Sequence, residues 1–166
     1  MRIRQGGPDD AAAIMAMLDG AVAWLAENGR SGQWGTEPFS TLPQRVESIA
    51  ERTRTDSIWI AEIDGSPAGA MATSPKPVPY VDAADEPELY VTLLVTGRAF
   101  SGNGVGAALL AHARDEARRR GAGLVRVDCY AGGGGRLVAY YRRNGFTPVE
   151  TFSVGEWPGQ VLSLRV

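Results

Sequence analysis

The sequence predicts an α+β fold: a single domain whose central, mixed but mostly antiparallel sheet is flanked by helices. Three observations predict it. Apolar and polar residues alternate over short runs bounded by glycine and proline, and alternation puts every second side chain on one face of a strand. The runs come singly, then as a hairpin pair, then interleaved with helical segments, then as a final pair, which suits helices packed on an antiparallel sheet. The length of 166 residues is that of one domain with a sizeable core, and no repeat or low-complexity segment divides residues 1–166.

Taken in order, Met1 to Gln5 alternates as a short strand. Gly6-Gly7-Pro8-Asp9-Asp10 breaks it and starts a helix, with Asp9 or Asp10 as cap. Ile14, Leu18, Val22, Leu25 and Ala26 keep a helical rhythm that Gly20 is expected to split in two. Asn28 to Gly35 is a loop by composition, and it carries Gln33 and Trp34. Trp34 reads as a plug closing the helix pair or as a wall of a substrate pocket. Thr41 to about Thr53 is a further helix. Ser57–Ile63 and Ser66–Thr73 are strands joined by the hairpin signal Asp64-Gly65. Ser74 to Pro87, rich in proline and acid, is a loop.

Glu88 to Thr96 is the central strand. Three glycines at alternate positions follow it, Gly102, Gly104 and Gly106, and Ala107 to about Arg120 is helical. Gly121-Ala122-Gly123 stops that helix. Leu124 to Cys129 is a strand, Ala131 to Gly135 a glycine turn, and Arg136 to Asn144 a short helix ended by Gly145. Phe146–Phe152 and Gln160–Arg165 are the last strands, separated by a loop, Ser153 to Gly159, that holds Trp157.

Apolar content of 44% and charged content of 22% are those of a globular protein, and a net charge of −2 offers no electrostatic pull on nucleic acid. Arg118, Arg119 and Arg120 form the densest basic run, at a helix end where cations suit the dipole. The single cysteine, Cys129, excludes an intrachain disulfide. There is no signal-like start and no apolar run of the ~20 residues a membrane span needs, so a cytoplasmic chain with no membrane partner is expected. No cluster has metal-ligand spacing.

The glycine stretch is the centre of the reading. A helix start exposes N–H groups without intrahelical partners, and glycines let backbone approach a bulky anion. Strand, glycine loop and helix make a candidate diphosphate cradle; the alternative is a flexible turn before an ordinary helix. A P-loop would need Gly-Lys-Ser/Thr, and the dinucleotide fingerprint would place its third glycine one residue later. Ser101-Gly102-Asn103-Gly104-Val105-Gly106 instead resembles the acetyl-CoA loop of the GNAT acyltransferases, Arg/Gln-x-x-Gly-x-Gly/Ala, with Ser101 replacing the long polar side chain and Arg98 close enough to substitute. A second stretch, Tyr141 to Gly145-Phe146, resembles the end of the family's Asn-x-x-Ala-x-x-x-Tyr-x-x-x-Gly-Phe. Gly134 and Leu137 stand where Asn and Ala are usual, and Arg136 is the candidate to replace the missing contact. The order of parts matches over about Glu88 to Phe152.

The resemblance implies transfer of an acetyl group from acetyl-CoA to a primary amine of a small molecule by direct attack. It implies that Leu94, Val95 and Thr96 pair with the pantetheine arm, and that Ser101 to Ala107 hold the diphosphate. Tyr141 becomes the acid that protonates the leaving thiolate. Glu88 is the first candidate for the base that neutralises the amine, and Asp128 the second. Tyr140 is expected in the core, His112 half-exposed on its helix, and Cys129 as a small buried strand residue. Acetylation of a protein N-terminus or lysine, or an idle acyl-CoA-binding sensor, are the other readings the resemblance allows. A homodimer is common among proteins that look like this.

Overall fold

The computed structural model describes residues 1–166. In chain order its elements are β1 (Arg2–Gly6), α1 (Ala11–Glu27), α2 (Pro43–Thr55), β2 (Ser57–Ile63), β3 (Ser66–Ser74), β4 (Glu88–Thr96), α3 (Val105–Arg119), β5 (Leu124–Tyr130), α4 (Arg136–Arg143), β6 (Thr147–Val154) and β7 (Trp157–Arg165). The strands form one sheet in the order β1-β2-β3-β4-β5-β7-β6. Pairing is antiparallel for β1–β2, β2–β3, β5–β7 and β6–β7, and parallel for β4–β5. This is the mostly antiparallel α+β architecture that the run order predicted. No helix is long and apolar enough to cross a membrane.

The chain divides into two compact units, Met1–Thr73 with Leu93–Leu109, and Ser74–Thr92 with Leu110–Val166. In the first unit, α1 buries Ile14, Met17, Leu18 and Val22 along one stripe. These side chains pack with Phe39, Ile49, Ile58, Ile60, Ala70, Ala72 and Val95 into one apolar cluster. The helix runs through Gly20 unbroken, because its neighbours hold the helical rhythm and the glycine lies on an exposed face. At its start, Asp10 accepts the Gly7 N–H at 3.0 Å and pairs with Arg4 at 2.8 Å, and the Arg4 guanidinium holds this carboxyl below its ordinary range. Asp64 (φ 51°) and Gly65 (φ 78°) make the expected left-handed hairpin turn.

Gly69 on β3 marks a close approach. A Cβ there would stand 2.5 Å from Val105 Cγ1 and 3.1 Å from the Val95 carbonyl oxygen, so only glycine lets the start of α3 lie this near the strand. In the second unit, α3 ends as predicted: Gly121 is left-handed (φ 71°) and the Ala122 N–H returns to the Ala117 carbonyl at 2.9 Å. The arginine run is paired on its own helix, Arg118 to Asp115 at 2.9 Å, and Arg119 and Arg120 both to Glu116. Burial alone would raise the Glu116 carboxyl, but the two guanidiniums hold it below its usual value. At the other end of this unit, β6 and β7 form a tight hairpin with Val154 opposite Trp157. Trp157 is therefore a strand residue rather than a loop residue. The β6 register shifts between Pro148 and Glu150.

Candidate functional site

β4 alternates Glu88, Tyr90 and Thr92 on one face with Leu89 and Val91 on the other. Its parallel register with β5 runs from Glu88↔Leu124 to Val91↔Val127. Leu94, Val95 and Thr96 lie beyond that register. In the first unit they line a recess of about 170 Å³ together with Ala21, Trp24, Leu25, Gln33, Trp34 and Arg98. Trp34 packs edge-on against Phe39 (centroids 5.4 Å apart), and its carbonyl accepts from Arg45 Nη1 at 3.1 Å. Trp34 thus packs on the apolar cluster, as the first reading expected, and it also lines the recess. Trp24, which the sequence did not single out, stands beside it with the Arg98 guanidinium 4.0 Å from its ring centre. Arg98 is thus placed on a tryptophan in the recess.

The loop after β4 is built by backbone. The Phe100 carbonyl accepts the Asn103 N–H at 3.2 Å and the Asn103 Nδ2 at 3.0 Å. Gly102 (φ 83°) and Gly104 (φ 71°) are left-handed, and no atom lies within 4 Å of where a Cβ would stand on either. Gly104 ends the loop, and its carbonyl accepts the Ala108 N–H at 3.0 Å. The helix thus begins at Val105, two residues before the sequence placed it. Gly106 belongs to the first helical turn, and the Val105 side chain is buried. The N–H groups of Val105, Gly106 and Ala107 are those that a helix start leaves without intrahelical acceptors. Ser101, Gly102, Asn103 and Gly104 are exposed. An open left-handed glycine pair followed by free helix donors fits an anionic diphosphate.

In the second unit, Tyr141 on α4 is buried, against Tyr140 and Phe146 with centroids 5.4 and 5.8 Å away, while Tyr140 is only half-buried. Tyr140 is thus not the core residue that was expected. Burial pushes the Tyr141 phenol well above its ordinary value, and Cys129, Tyr140 and Asp128 push the same way, so it holds its proton at neutral pH. Cys129 is buried and its thiol is pushed up to about 12, first by burial and then by Asp128. His112 is half-exposed, and burial lowers its pKa. Arg136 opens α4 on an exposed position after Gly133, Gly134 and Gly135, all left-handed. No group of His, Cys, Asp and Glu is gathered as metal ligands would be.

Glu88 is not free to act as a base. Arg126 donates to it through Nε at 2.7 Å and Nη2 at 2.9 Å, and the Ala84 N–H donates to Oε2 at 2.8 Å. Both carboxylate oxygens are occupied, and its side chain is 3% exposed. Asp128, two residues beyond Arg126 on the same face of β5, is differently placed. It is half-buried and accepts from the Tyr90 hydroxyl at 2.7 Å and from Tyr80 at 3.5 Å. Burial, then the Asp128 charge, keep the Tyr90 phenol protonated as a donor. Tyr90 and Arg126, opposite each other in the β4–β5 register, are two further residues that sequence reading missed. The alternation of both strands carries the signal that could have found them.

Residues 20–146 match the model of the acetyltransferase (GNAT) family. A search of curated proteins gives no match. Among solved structures, the chain is similar to a GNAT-family acetyltransferase from Listeria monocytogenes, with 21% identity, 99% of this chain and 94% of that one covered, and a TM-score of 0.72. It is also similar to a putative acetyltransferase from Salmonella typhimurium solved with its cofactor acetyl-CoA (20% identity, 99% and 93% covered, TM-score 0.67). A third is the ribosomal-protein-alanine N-acetyltransferase of Brucella melitensis (20% identity, 100% of both chains covered, TM-score 0.67). At these identities the likeness is one of fold.

Proposed function

Because the chain belongs to the acetyltransferase (GNAT) family, we propose that it moves an acetyl group from acetyl-CoA to the primary amine of a small molecule by direct attack, with residues 1–166 acting as one domain. The observation that carries this reading is the open, left-handed Gly102–Gly104 pair between β4 and the first turn of α3. Acetyl-CoA supplies an activated thioester when bound. Ser101 to Gly104, with the N–H groups of Val105, Gly106 and Ala107, would hold its diphosphate, and Arg136 is the side chain assigned to the pantetheine arm. The backbone of Leu94, Val95 and Thr96, beyond the β4–β5 register, supplies strand donors for that arm and for the oxyanion, where one aimed N–H is worth about 3–4 kcal/mol of barrier.

Tyr141 is the proton donor to the leaving sulfur, since its surroundings keep it protonated. With Glu88 occupied by Arg126, Asp128 becomes the carboxylate that takes the proton from the amine, held in place by the Tyr90 hydroxyl. Trp34 is assigned to the acceptor, and a recess of about 170 Å³ beside it suits a small molecule better than an extended peptide. Isothermal titration with acetyl-CoA and a thiol-release assay over a panel of amines test the reading. Wild-type protein binds the donor and turns over. Gly104→Glu, which puts bulk and negative charge into the cradle, abolishes binding; retention of wild-type affinity by this variant would remove the cradle from the loop.

A further inference from the structure

We propose that the recess beside Trp24 and Trp34 anchors the acceptor by a carboxylate, so that the substrate is a small amine that also carries a carboxylate, as an amino acid does. The inference rests on the acetyl-transfer reading above and names the acceptor for it. Arg98 is the one charged residue that lines the recess, among aromatic, aliphatic and neutral polar walls. Its guanidinium sits 4.0 Å from the centre of the Trp24 ring, and that of Arg30 lies 4.9 Å from the same ring. A third, Arg45, lies over Phe39 at 4.3 Å and holds the Trp34 carbonyl.

None of these three cations is ion-paired. The ion pairs of this unit join Arg4 to Asp10 and Glu62, Arg52 to Asp56, and Arg54 to Glu47. Arg30 Nε is in addition buried without a hydrogen-bond partner, a state that buried donors rarely keep. Two unmatched guanidiniums on Trp24, and a third on Phe39 beside Trp34, make a local positive field. That field repels an acceptor whose only charge is its ammonium and attracts one that brings a carboxylate. Contact with Trp24 restrains the Arg98 side chain, and a guanidinium fork suits bidentate carboxylate binding. A recess of about 170 Å³ leaves room for a group of amino-acid size. Leu94, Val95 and Thr96 line the same recess, so an acceptor held at Arg98 lies along the strand assigned to the thioester.

The test compares amines matched except for the carboxylate: phenylalanine and methionine against their amides and their decarboxylated amines. Binding is read by tryptophan fluorescence and titration calorimetry, and transfer by thiol release. Wild type, Arg98→Gln and Arg98→Lys are compared, with the acetyl-CoA Kd of each. In wild type the acids bind and react at least roughly tenfold better than their matched amines, the factor a charge-assisted hydrogen bond supplies. In Arg98→Gln the preference collapses to about twofold, Arg98→Lys keeps part of it, and the acetyl-CoA Kd stays within about twofold. Equal or better binding of the amides, no binding of either acid, or an Arg98→Gln variant that loses donor affinity while amine preference is unchanged each overturns the inference. Arg98-dependent binding of the acids without thiol release upholds the anchor and overturns the transferase reading instead.

Discussion

Replacing Glu88 by glutamine separates a structural carboxylate from a catalytic one. The change keeps the side chain's size and one acceptor but removes the charge opposite Arg126. In the folded protein the only charge left near the guanidinium is the half-exposed Glu150 carboxylate at 3.7 Å, beside two neutral acceptors, the introduced amide and the Asp82 carbonyl at 2.8 Å, while its own side chain stays 8% exposed. Breaking one side of a buried pair typically costs about 3–5 kcal/mol. Glu150 offsets part of that, so a loss of about 3 kcal/mol is expected, or about 6–12 °C in Tm for a chain of this size. The assay is calorimetric melting of wild type and Glu88→Gln, with kcat measured well below both transitions. Turnover per folded molecule should be nearly unchanged. The double variant Glu88→Leu with Arg126→Met, which removes both charges, should recover most of the lost stability. An unaltered Tm with kcat down a hundredfold and the acidic limb of the pH profile gone would refute the reasoning, because Glu88 would then be the base and its pairing energetically idle.

Tyr141→Phe keeps the packing against Phe146 and removes the hydroxyl; kcat should fall about a hundredfold with the acetyl-CoA Kd within twofold, and an unchanged kcat would remove the general-acid role. Gly69→Ala forces a methyl into Val105 and should destabilise by about 1–3 kcal/mol, read as a lowered urea midpoint at constant m. Cys129 should resist alkylation at pH 8 in the native state, since a thiol at about 12 is ionised in only about one molecule in ten thousand there, and react readily in urea. Because folding raises this pKa above the ordinary 9.0, stability is whole below about pH 9 and falls as the pH rises toward 12; a flat profile through that window would contradict the burial.

Much of the fold was legible because period and punctuation agree. The alternation of β2 and β5, the left-handed Asp64-Gly65 turn and the Gly121 stop are local effects that a few neighbouring residues decide. The errors lie where the deciding contact is distant or the window short. Glu88 looked available because its partner is 38 residues away, and no local pattern announces an ion pair across a parallel register. Tyr140 was expected in the core but is half-buried; α4 has eight residues, too few turns to fix the phase of its buried stripe. Gly106 was read with the loop, since an alternate-glycine rhythm cannot say which glycine takes a helical φ. Trp157 was lost to a polar stretch that folds into a two-residue hairpin. The glycine loop before α3 was legible from sequence; the placing of Arg30 and Arg98 on Trp24 and of Arg45 on Phe39 was not, because contacts between separate segments leave no periodic trace.

The two rim strands of the sheet, β1 and β6, face the hazard of any unfinished ladder, which can recruit a foreign strand. β6 bears Pro148, which has no N–H to lend, a register fault beside it, and the charge of Glu150; these interrupt the regular pattern that a newcomer would have to match. β1 is only five residues long and runs straight into Gly6-Gly7-Pro8. Val149 and Val154 can therefore stay open to solvent on β6 without making that margin a template for fibres, and smoothing it with Pro148→Thr and Glu150→Val would be expected to convert a well-behaved chain into one that clumps on concentration.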